Sequence, residues 1–342
     1  MKVAVIGAGS WGTAVAALAA KNVETTLWAR SEELSAVMQR DSQNNAYLPG
    51  IDLPEMTYTS DLEAACRGAD IVAIGVPSHG FRAVLASAAS SIDSGATVIS
   101  LVKGVEQGTL LRMTQVAHEV LSSGDHRHDH SHDLNAIGVL TGPNLAREVA
   151  EGQPAASVVA IPDGGRAEQV QAAFMSATFR VYTNPDVVGC EIAGALKNVM
   201  AIAAGVAHGL GYGDNTIAAL ITRGLAELAR LGIALGGSPL TFSGLAGMGD
   251  LVATCISDKS RNRTVGVELG RGRSLEDVVN EMHMVAEGVK TTRAVLDLAA
   301  LHSLEMPIAE QVGAVLYDGR RPDEIVPALM MRGATSEMHG LG

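Results

Sequence analysis

Near the start of the chain an apolar, β-branched run meets three glycines at fixed spacing, and few folds accommodate such a stretch. In Val3-Ala-Val-Ile-Gly-Ala-Gly-Ser-Trp-Gly-Thr-Ala14, Gly7, Gly9 and Gly12 stand at G-x-G-x-x-G, and an Ala-rich segment of helical composition runs from Thr13 to Ala20. The order strand, tight turn, helix gives each glycine its own task. Gly7 permits the turn, Gly9 removes a Cβ so that a pyrophosphate can approach the backbone, and Gly12 lets helix and strand pack closely. The helix start adds free N–H donors and the positive end of its dipole. Glycines cluster in many loops; here the flanking strand and helix patterns supply the context that a dinucleotide-binding turn requires.

The chain has 342 residues, comfortable for two domains, and its 47 % hydrophobic content against 18 % charged residues is that of a globular protein. Aromatics make up only 3 %, so small aliphatic side chains must fill the core. A net charge of −12 argues against a nucleic-acid partner, yet leaves room for an anionic small substrate held by a local cluster of cations. Cys66, Cys190 and Cys255 are scattered with no C-x-x-C pair, which reads as reduced thiols in a cytoplasmic protein rather than a disulfide framework or a metal site. The first strand begins almost at Met1, without a signal peptide before it. The apolar stretch Ile192 to Val206 carries Lys197 and Asn198 in its middle and falls short of a membrane span. A soluble protein with no membrane insertion is expected.

Strand patterns follow at 25–28, 71–76, 97–102, 136–141, 156–161 and 180–183, interleaved with helical segments, so the chain reads as α/β with a mostly parallel, Rossmann-type sheet of about eight strands. The segment Asn45 to Pro54 is loop-like. Asn184-Pro185-Asp186 marks a boundary, giving a dinucleotide-binding domain over 1–186. Beyond it the alternation stops: 187–207, 215–235, 262–270, 274–282, 286–303 and 307–317 have helical spacing, which makes 187–342 an all-helical substrate domain.

Ligands of open parallel sheets bind at the carboxyl ends of the strands. Pro77, Ser78, His79 and Lys103 stand at such ends, and Gly142-Pro143-Asn144 precedes a helix start. Some 20 residues past the glycines, an acidic residue would grip the ribose 2′-hydroxyl of NAD. This chain has Ala29-Arg30-Ser31 there, and a guanidinium suits a 2′-phosphate, so NADP(H) is favoured over NAD(H), although Glu32 and Glu33 follow. The plainer alternative is a solvated Arg30 with Ser31 capping the next helix. The His-rich tract within 125–133 is expected to be a surface loop; converging imidazoles could bind a divalent metal, but no metal site is assigned.

The helix around Ile192 to Ala204 is apolar on nearly all sides, which is the mark of burial. A lone buried ammonium is costly, so Lys197 must be paired, reach water or serve a purpose, and desolvation moves its pKa towards the range of proton transfer. Downstream, Asp250 stands at a helix start, and Ser260-Arg261-Asn262 opens another helix with a hydroxyl, a guanidinium and an amide beside free backbone donors. That set can cradle a phosphate, or it is ordinary capping by Ser260 with solvated arginines.

Taken together, Gly7-Ala-Gly-Ser-Trp-Gly-Thr-Ala14, Val76-Pro-Ser-His79, Lys103-Gly104, Gly142-Pro143, Leu196-Lys-Asn198, Gly249-Asp-Leu251, Ser260-Arg-Asn262 and Glu287-Gly288 closely resemble, in order and over essentially the whole chain, the bacterial-type NAD(P)-dependent glycerol-3-phosphate dehydrogenases. The resemblance implies a Rossmann-type domain followed by a helical one with the active site between them. It also implies reversible reduction of dihydroxyacetone phosphate to sn-glycerol 3-phosphate, feeding glycerophospholipid synthesis. By position it makes Lys197 the proton acceptor in alcohol oxidation and the donor in reduction. Lys103, Gly142, Asn144, Lys197, Asp250, Ser260, Arg261 and Asn262 would hold the substrate. Gly7, Gly9, Ser10, Trp11, Gly12, Arg30, Lys103, Ala146, Arg261, Val285 and Glu287 would contact the cofactor. The departure is the His-rich segment near 122–133, longer than in the family and touching none of these positions. A homodimer is an open assembly state. Two rivals stand beside this reading: a reductase of the same architecture acting on a hydroxy acid, which would need a carboxylate clamp, and a nucleotide-binding sensor or scaffold without chemistry, for which a buried lysine is unnecessary.

Overall fold

A computed structural model describes residues 1–122, 132–282, 286–334 and 336–337. It divides into two compact units, Met1–Val102 with Met113–Val187, and Lys103–Arg112 with Val188–Gly342. The first is built on eight strands: β1 (Lys2–Ile6), β2 (Glu24–Trp28), β3 (Thr57–Thr59), β4 (Ile71–Ile74), β5 (Thr97–Ser100), β6 (Ile137–Thr141), β7 (Ala155–Ala160) and β8 (Phe179–Asn184). They lie in the order β3-β2-β1-β4-β5-β6-β7-β8. All neighbours are parallel except β6 and β7, where Val139 faces Ala160 and Thr141 faces Val158. That one reversal needs only the short connection through 142–154, whereas every parallel pair needs a crossover.

β1, β4 and β5 are buried on both faces along nearly their full length, as expected of a sheet covered by helices on either side. The helix Ser10–Ala19 buries every residue from Gly12 to Ala19 against this core, beside Val3, Val5, Leu27 and Ile99. β3 matches none of the sequence patterns: it is three residues long and buries only Tyr58, too little to show alternation. The helix Gly164–Phe174 was likewise not anticipated, while Glu32–Asp41 is the helix that Ser31 was expected to cap.

The second unit is organised around the helix Val187–Gly209, in which every residue from Gly189 to Ala207 is buried. Packed with it are the helices Asp214–Ala234, Arg261–Gly270, Glu287–Leu301 and Pro307–Tyr317. The approach of Arg261–Gly270 is set by glycines facing each other. A Cβ on Gly205 would fall 2.2 Å from the Arg263 carbonyl oxygen, and one on Gly266 would fall 2.1 Å from that of Ile202. Two helices can touch backbone to backbone only where side chains are absent, and this contact brings residues 260–262 alongside Lys197 and Asn198.

Lys103–Arg112, inside the expected first domain, packs with the second unit. Val105 is buried in that core and Leu110 packs against it. Asn198 Nδ2 donates to the Lys103 carbonyl at 3.0 Å, and Arg112 pairs with the buried Glu191 at 2.6 Å. By length and composition Val187–Gly209 and Pro239–Ile256 are apolar enough to cross a membrane. The expectation that the first falls short of a span therefore fails on length; its apolarity is accounted for by burial inside the protein, which covers 89 % of its most apolar window.

Candidate functional site

In the first unit the three glycines are glycines for three different reasons. Gly7 has φ +117°, and a Cβ there would lie 2.9 Å from the backbone of Gly75. A Cβ on Gly12 would fall 1.9 Å from the Gly7 carbonyl oxygen. Gly9 is different: its φ is −73°, open to any residue, and among the described residues no atom beyond its own chain neighbours lies within 4 Å of where its Cβ would stand. The fold does not need this glycine, so what excludes a side chain is something that approaches from outside. It stands at the N-cap of the helix Ser10–Ala19 with no side chain capping that end. A helix start beside a bare Cα fits a pyrophosphate. Close by, the buried Trp11 indole Nε1 has no hydrogen-bond partner among the described residues, and Ser10 Oγ donates to the Tyr47 carbonyl at 2.7 Å. A Gly9→Ala protein is expected to keep its stability within about 1 kcal/mol. Its affinity for NADPH or NADH should fall by roughly tenfold or more as the methyl meets the pyrophosphate. Thermal melting and nucleotide titration check the two halves.

Arg30 follows β2, is exposed, and makes no hydrogen bond or ion pair among the described residues. Ser31 caps the helix Glu32–Asp41 by accepting from Leu34 N at 3.2 Å. Gly142, with φ +128°, ends β6. The buried Asn144 donates through Nδ2 to Ser157 Oγ at 3.1 Å, and Ala146 opens the short helix Ala146–Ala150. Val285 and residues 123–131, which hold most of the His-rich tract, lie outside the described residues. Among the described residues no three His, Cys, Asp or Glu side chains come together as a metal-binding group.

The charged centre of the second unit is one carboxylate gripped by two lysines. Asp250 is 2 % exposed; its Oδ1 accepts from Lys197 Nζ and its Oδ2 from Lys103 Nζ, each at 2.7 Å. Lys197 Nζ also donates to Thr254 Oγ1 at 2.7 Å, and that hydroxyl donates to the Asp250 carbonyl at 2.6 Å. Asp250 is aimed by its approach: Leu245–Gly249 forms a π-helical turn immediately before the helix Asp250–Ile256, a distortion common next to functional groups. Burial pulls the Lys103 pKa down to about 7, helped by the Lys197 ammonium and resisted by Asp250. Burial beside a second ammonium thus loosens the proton of Lys103.

Ser260, 4 % exposed, caps the helix Arg261–Gly270, with Arg263 N donating to its Oγ at 3.3 Å; Arg263 itself pairs with Asp258. Arg261 is exposed, and the charge of Glu287 acts on it. Asn262 is mostly engaged: its Oδ1 accepts from Gly288 N and its Nδ2 donates to Asn198 Oδ1, both at 2.9 Å. With Asn198 donating to the Lys103 carbonyl, a relay of amides joins Gly288, Asn262, Asn198 and Lys103. An amide nitrogen carries two hydrogens, so one on Asn262 is left beside the helix-start N–H groups.

Lys103, Lys197, Asp250, Ser260, Arg261, Asn262 and Glu287 thus stand in the second unit, and Gly7, Gly9, Ser10, Trp11, Gly12, Arg30, Gly142, Asn144 and Ala146 in the first. Thr254 was missed at the sequence level, although Asp250 and Thr254 share a helix face at i,i+4. The Arg112–Glu191 pair was missed as well; nothing local links an arginine to a carboxylate 79 residues on.

Residues 2–167 match the family described as NAD-dependent glycerol-3-phosphate dehydrogenase N-terminus, and residues 186–327 match its C-terminus. A glycerol-3-phosphate dehydrogenase [NAD(P)+] of Thermobifida fusca is 50 % identical over 343 aligned residues, covering 99 % of both chains. One of Nocardia farcinica is 50 % identical, covering 97 % of this chain and 98 % of the other. Among solved structures, glycerol-3-phosphate dehydrogenase from Coxiella burnetii superimposes with a TM-score of 0.89 at 36 % identity, over 97 % of this chain and 99 % of that one.

Proposed function

The chain belongs to the NAD-dependent glycerol-3-phosphate dehydrogenase family, and from that premise we propose that it reduces dihydroxyacetone phosphate reversibly to sn-glycerol 3-phosphate, with Lys197 moving the proton. It is an oxidoreductase acting on a CH–OH group with NAD or NADP as cofactor. The observation that carries the residue assignment is the Lys197 ammonium, 6 % exposed and held by Asp250 and Thr254.

Bound nicotinamide supplies the hydride to the ketone carbon. Gly7, Gly9, Ser10, Trp11 and Gly12 would hold the pyrophosphate end of the cofactor, with Ala146, Arg261, Val285 and Glu287 as further contacts. The free guanidinium of Arg30 supports a 2′-phosphate, and so NADP(H) over NAD(H). Lys197 donates a proton to the ketone oxygen, so that no full alkoxide charge develops, and takes it back in the oxidation. Asp250 orients that ammonium through the bond to its Oδ1. Lys103 places a second positive charge by the same oxygen. Ser260, Arg261 and Asn262 grip the phosphate, far from the reacting carbon, while Gly142 and Asn144 line the substrate; anchoring there limits the poses the ketone can take. The same reading carries glycerophospholipid synthesis as the fate of the product, a cytoplasmic location without membrane insertion, and a homodimer as the assembly to test.

The test is loss of reduced-nicotinamide absorbance across a panel of ketones. Dihydroxyacetone phosphate should be turned over with a kcat/KM at least about 100-fold above unphosphorylated dihydroxyacetone, since the lost phosphate contacts are charge-assisted. A 2-keto acid should be no better than the unphosphorylated ketone. Preference for a keto acid would overturn the substrate assignment.

A further inference from the structure

The loop between Asp41 and Leu53 has no part in the roles assigned above, yet it contains a polar side chain with no exposure at all. Asn44 is 0 % exposed and uses its whole amide. One Nδ2 hydrogen goes to the Ala8 carbonyl at 2.9 Å and the other to Thr13 Oγ1 at 2.8 Å, while Oδ1 accepts from Tyr47 N at 3.3 Å. Around it the loop is closed on itself. Leu53 N donates to the Ser42 carbonyl at 2.8 Å, Gln43 Nε2 to Asp52 Oδ1 at 2.7 Å, and Leu48 is buried beneath. Ser10 Oγ reaches the Tyr47 carbonyl at 2.7 Å, and Arg147 donates to the Pro49 carbonyl at 3.1 Å. The amide of Asn44 therefore joins a rigid loop to residues 8 and 13, the two sides of the glycine turn.

We infer that Asn44 is a positioning residue for the cofactor, setting the direction of the Gly9 N–H by holding the Ala8 carbonyl. A peptide unit is planar and trans, so its C=O and N–H point in opposite directions. Fixing the Ala8 oxygen on Asn44 aims the Gly9 N–H away from Asn44. The bond to Thr13 fixes the first turn of the helix to the same amide, so the N–H groups of turn and helix start keep one geometry before any ligand arrives. Preorganised donors bind an anion without first losing freedom of their own. The inference rests on Gly7–Gly12 being the pyrophosphate site.

The experiment compares three ligands on wild type, Asn44→Ala, Thr13→Val and Gly9→Ala: NADPH, ADP-ribose, which keeps the pyrophosphate, and adenosine 2′-monophosphate, which lacks it. Asn44→Ala should weaken NADPH and ADP-ribose alike by about tenfold, and Thr13→Val by roughly threefold. Adenosine 2′-monophosphate should bind as to wild type, and kcat at saturating NADPH should change less than about twofold. NADPH affinity within twofold of wild type in the folded variants would overturn the inference, and so would equal weakening of all three ligands, the sign of a loosened domain. If Asn44→Ala does not fold, Thr13→Val decides alone. Gly9→Ala separates the two readings. If it leaves both pyrophosphate ligands unaffected, the site itself is misplaced; if it weakens them while Asn44→Ala does not, only the role of Asn44 falls.

Discussion

A Lys197→Met protein is expected to fold, to bind NADPH with near-normal affinity, and to reduce dihydroxyacetone phosphate about a thousandfold more slowly than wild type. Methionine keeps an unbranched apolar stem midway along the helix Val187–Gly209 and removes the ammonium, with its charge and its N–H donors. Removing one partner of a buried pair usually leaves the other uncompensated, at a cost of about 3–5 kcal/mol. Here Asp250 keeps Lys103 as a counter-ion at 2.7 Å, so most of that cost is avoided and the variant should be recoverable. The retained lysine also sets the size of the effect: a positive charge survives near the substrate oxygen, while the proton held by Asp250 and Thr254 is gone. Turnover and NADPH titration measure the two quantities separately. A loss below about tenfold would leave no proton-transfer role for Lys197.

The second large effect is on pH dependence. Burial and the Lys197 ammonium bring Lys103 down to about 7, with Asp250 pulling the other way. Because two lysines share one carboxylate, the apparent pKa belongs to the cluster and not to either amine. Reduction needs the cluster charged, so its kcat/KM should fall as pH rises through about 7; oxidation needs an unprotonated amine and should rise over the same range. In Asp250→Asn the group that raises this pKa is gone and two ammonium groups face each other without an anion. The apparent pKa should then move down by at least about one unit, and reduction at neutral pH should fall by at least about fivefold, as an amine that gave up its proton early has none to donate. Profiles in both directions check the sign; an unchanged or upward-shifted pKa in Asp250→Asn would contradict it.

Much of the fold was legible because it imposes exclusive local demands. Nothing but glycine tolerates the conformation at Gly7 or the contact at Gly12, and long apolar β-branched runs mark strands buried on both faces. β3 was illegible because three residues with one buried side chain carry no period. Lys197 could be singled out since a charge within an all-apolar helix is anomalous wherever its partner lies. Which carboxylate answers it could not be read, because Asp250 is 53 residues away and only the packing of separate helices brings the pair together. The excursion Lys103–Arg112 left no local mark either; its place depends on Val105, on Asn198 and on the Arg112–Glu191 pair. Asn44 was hidden for the opposite reason: asparagine is so common in turns that a loop-like segment around it looks ordinary.

Single-turnover reduction tests the assignment of the proton most directly, because it reads the chemical step without product release. Wild-type and Lys197→Met proteins, each loaded with NADPH, are mixed with saturating dihydroxyacetone phosphate while reduced-nicotinamide absorbance is followed. The expected result is rapid loss of absorbance in wild type and a trace about a thousandfold slower in the variant, although both start with the nucleotide bound. Equal rates in the two proteins would show that the ketone oxygen receives its proton from elsewhere.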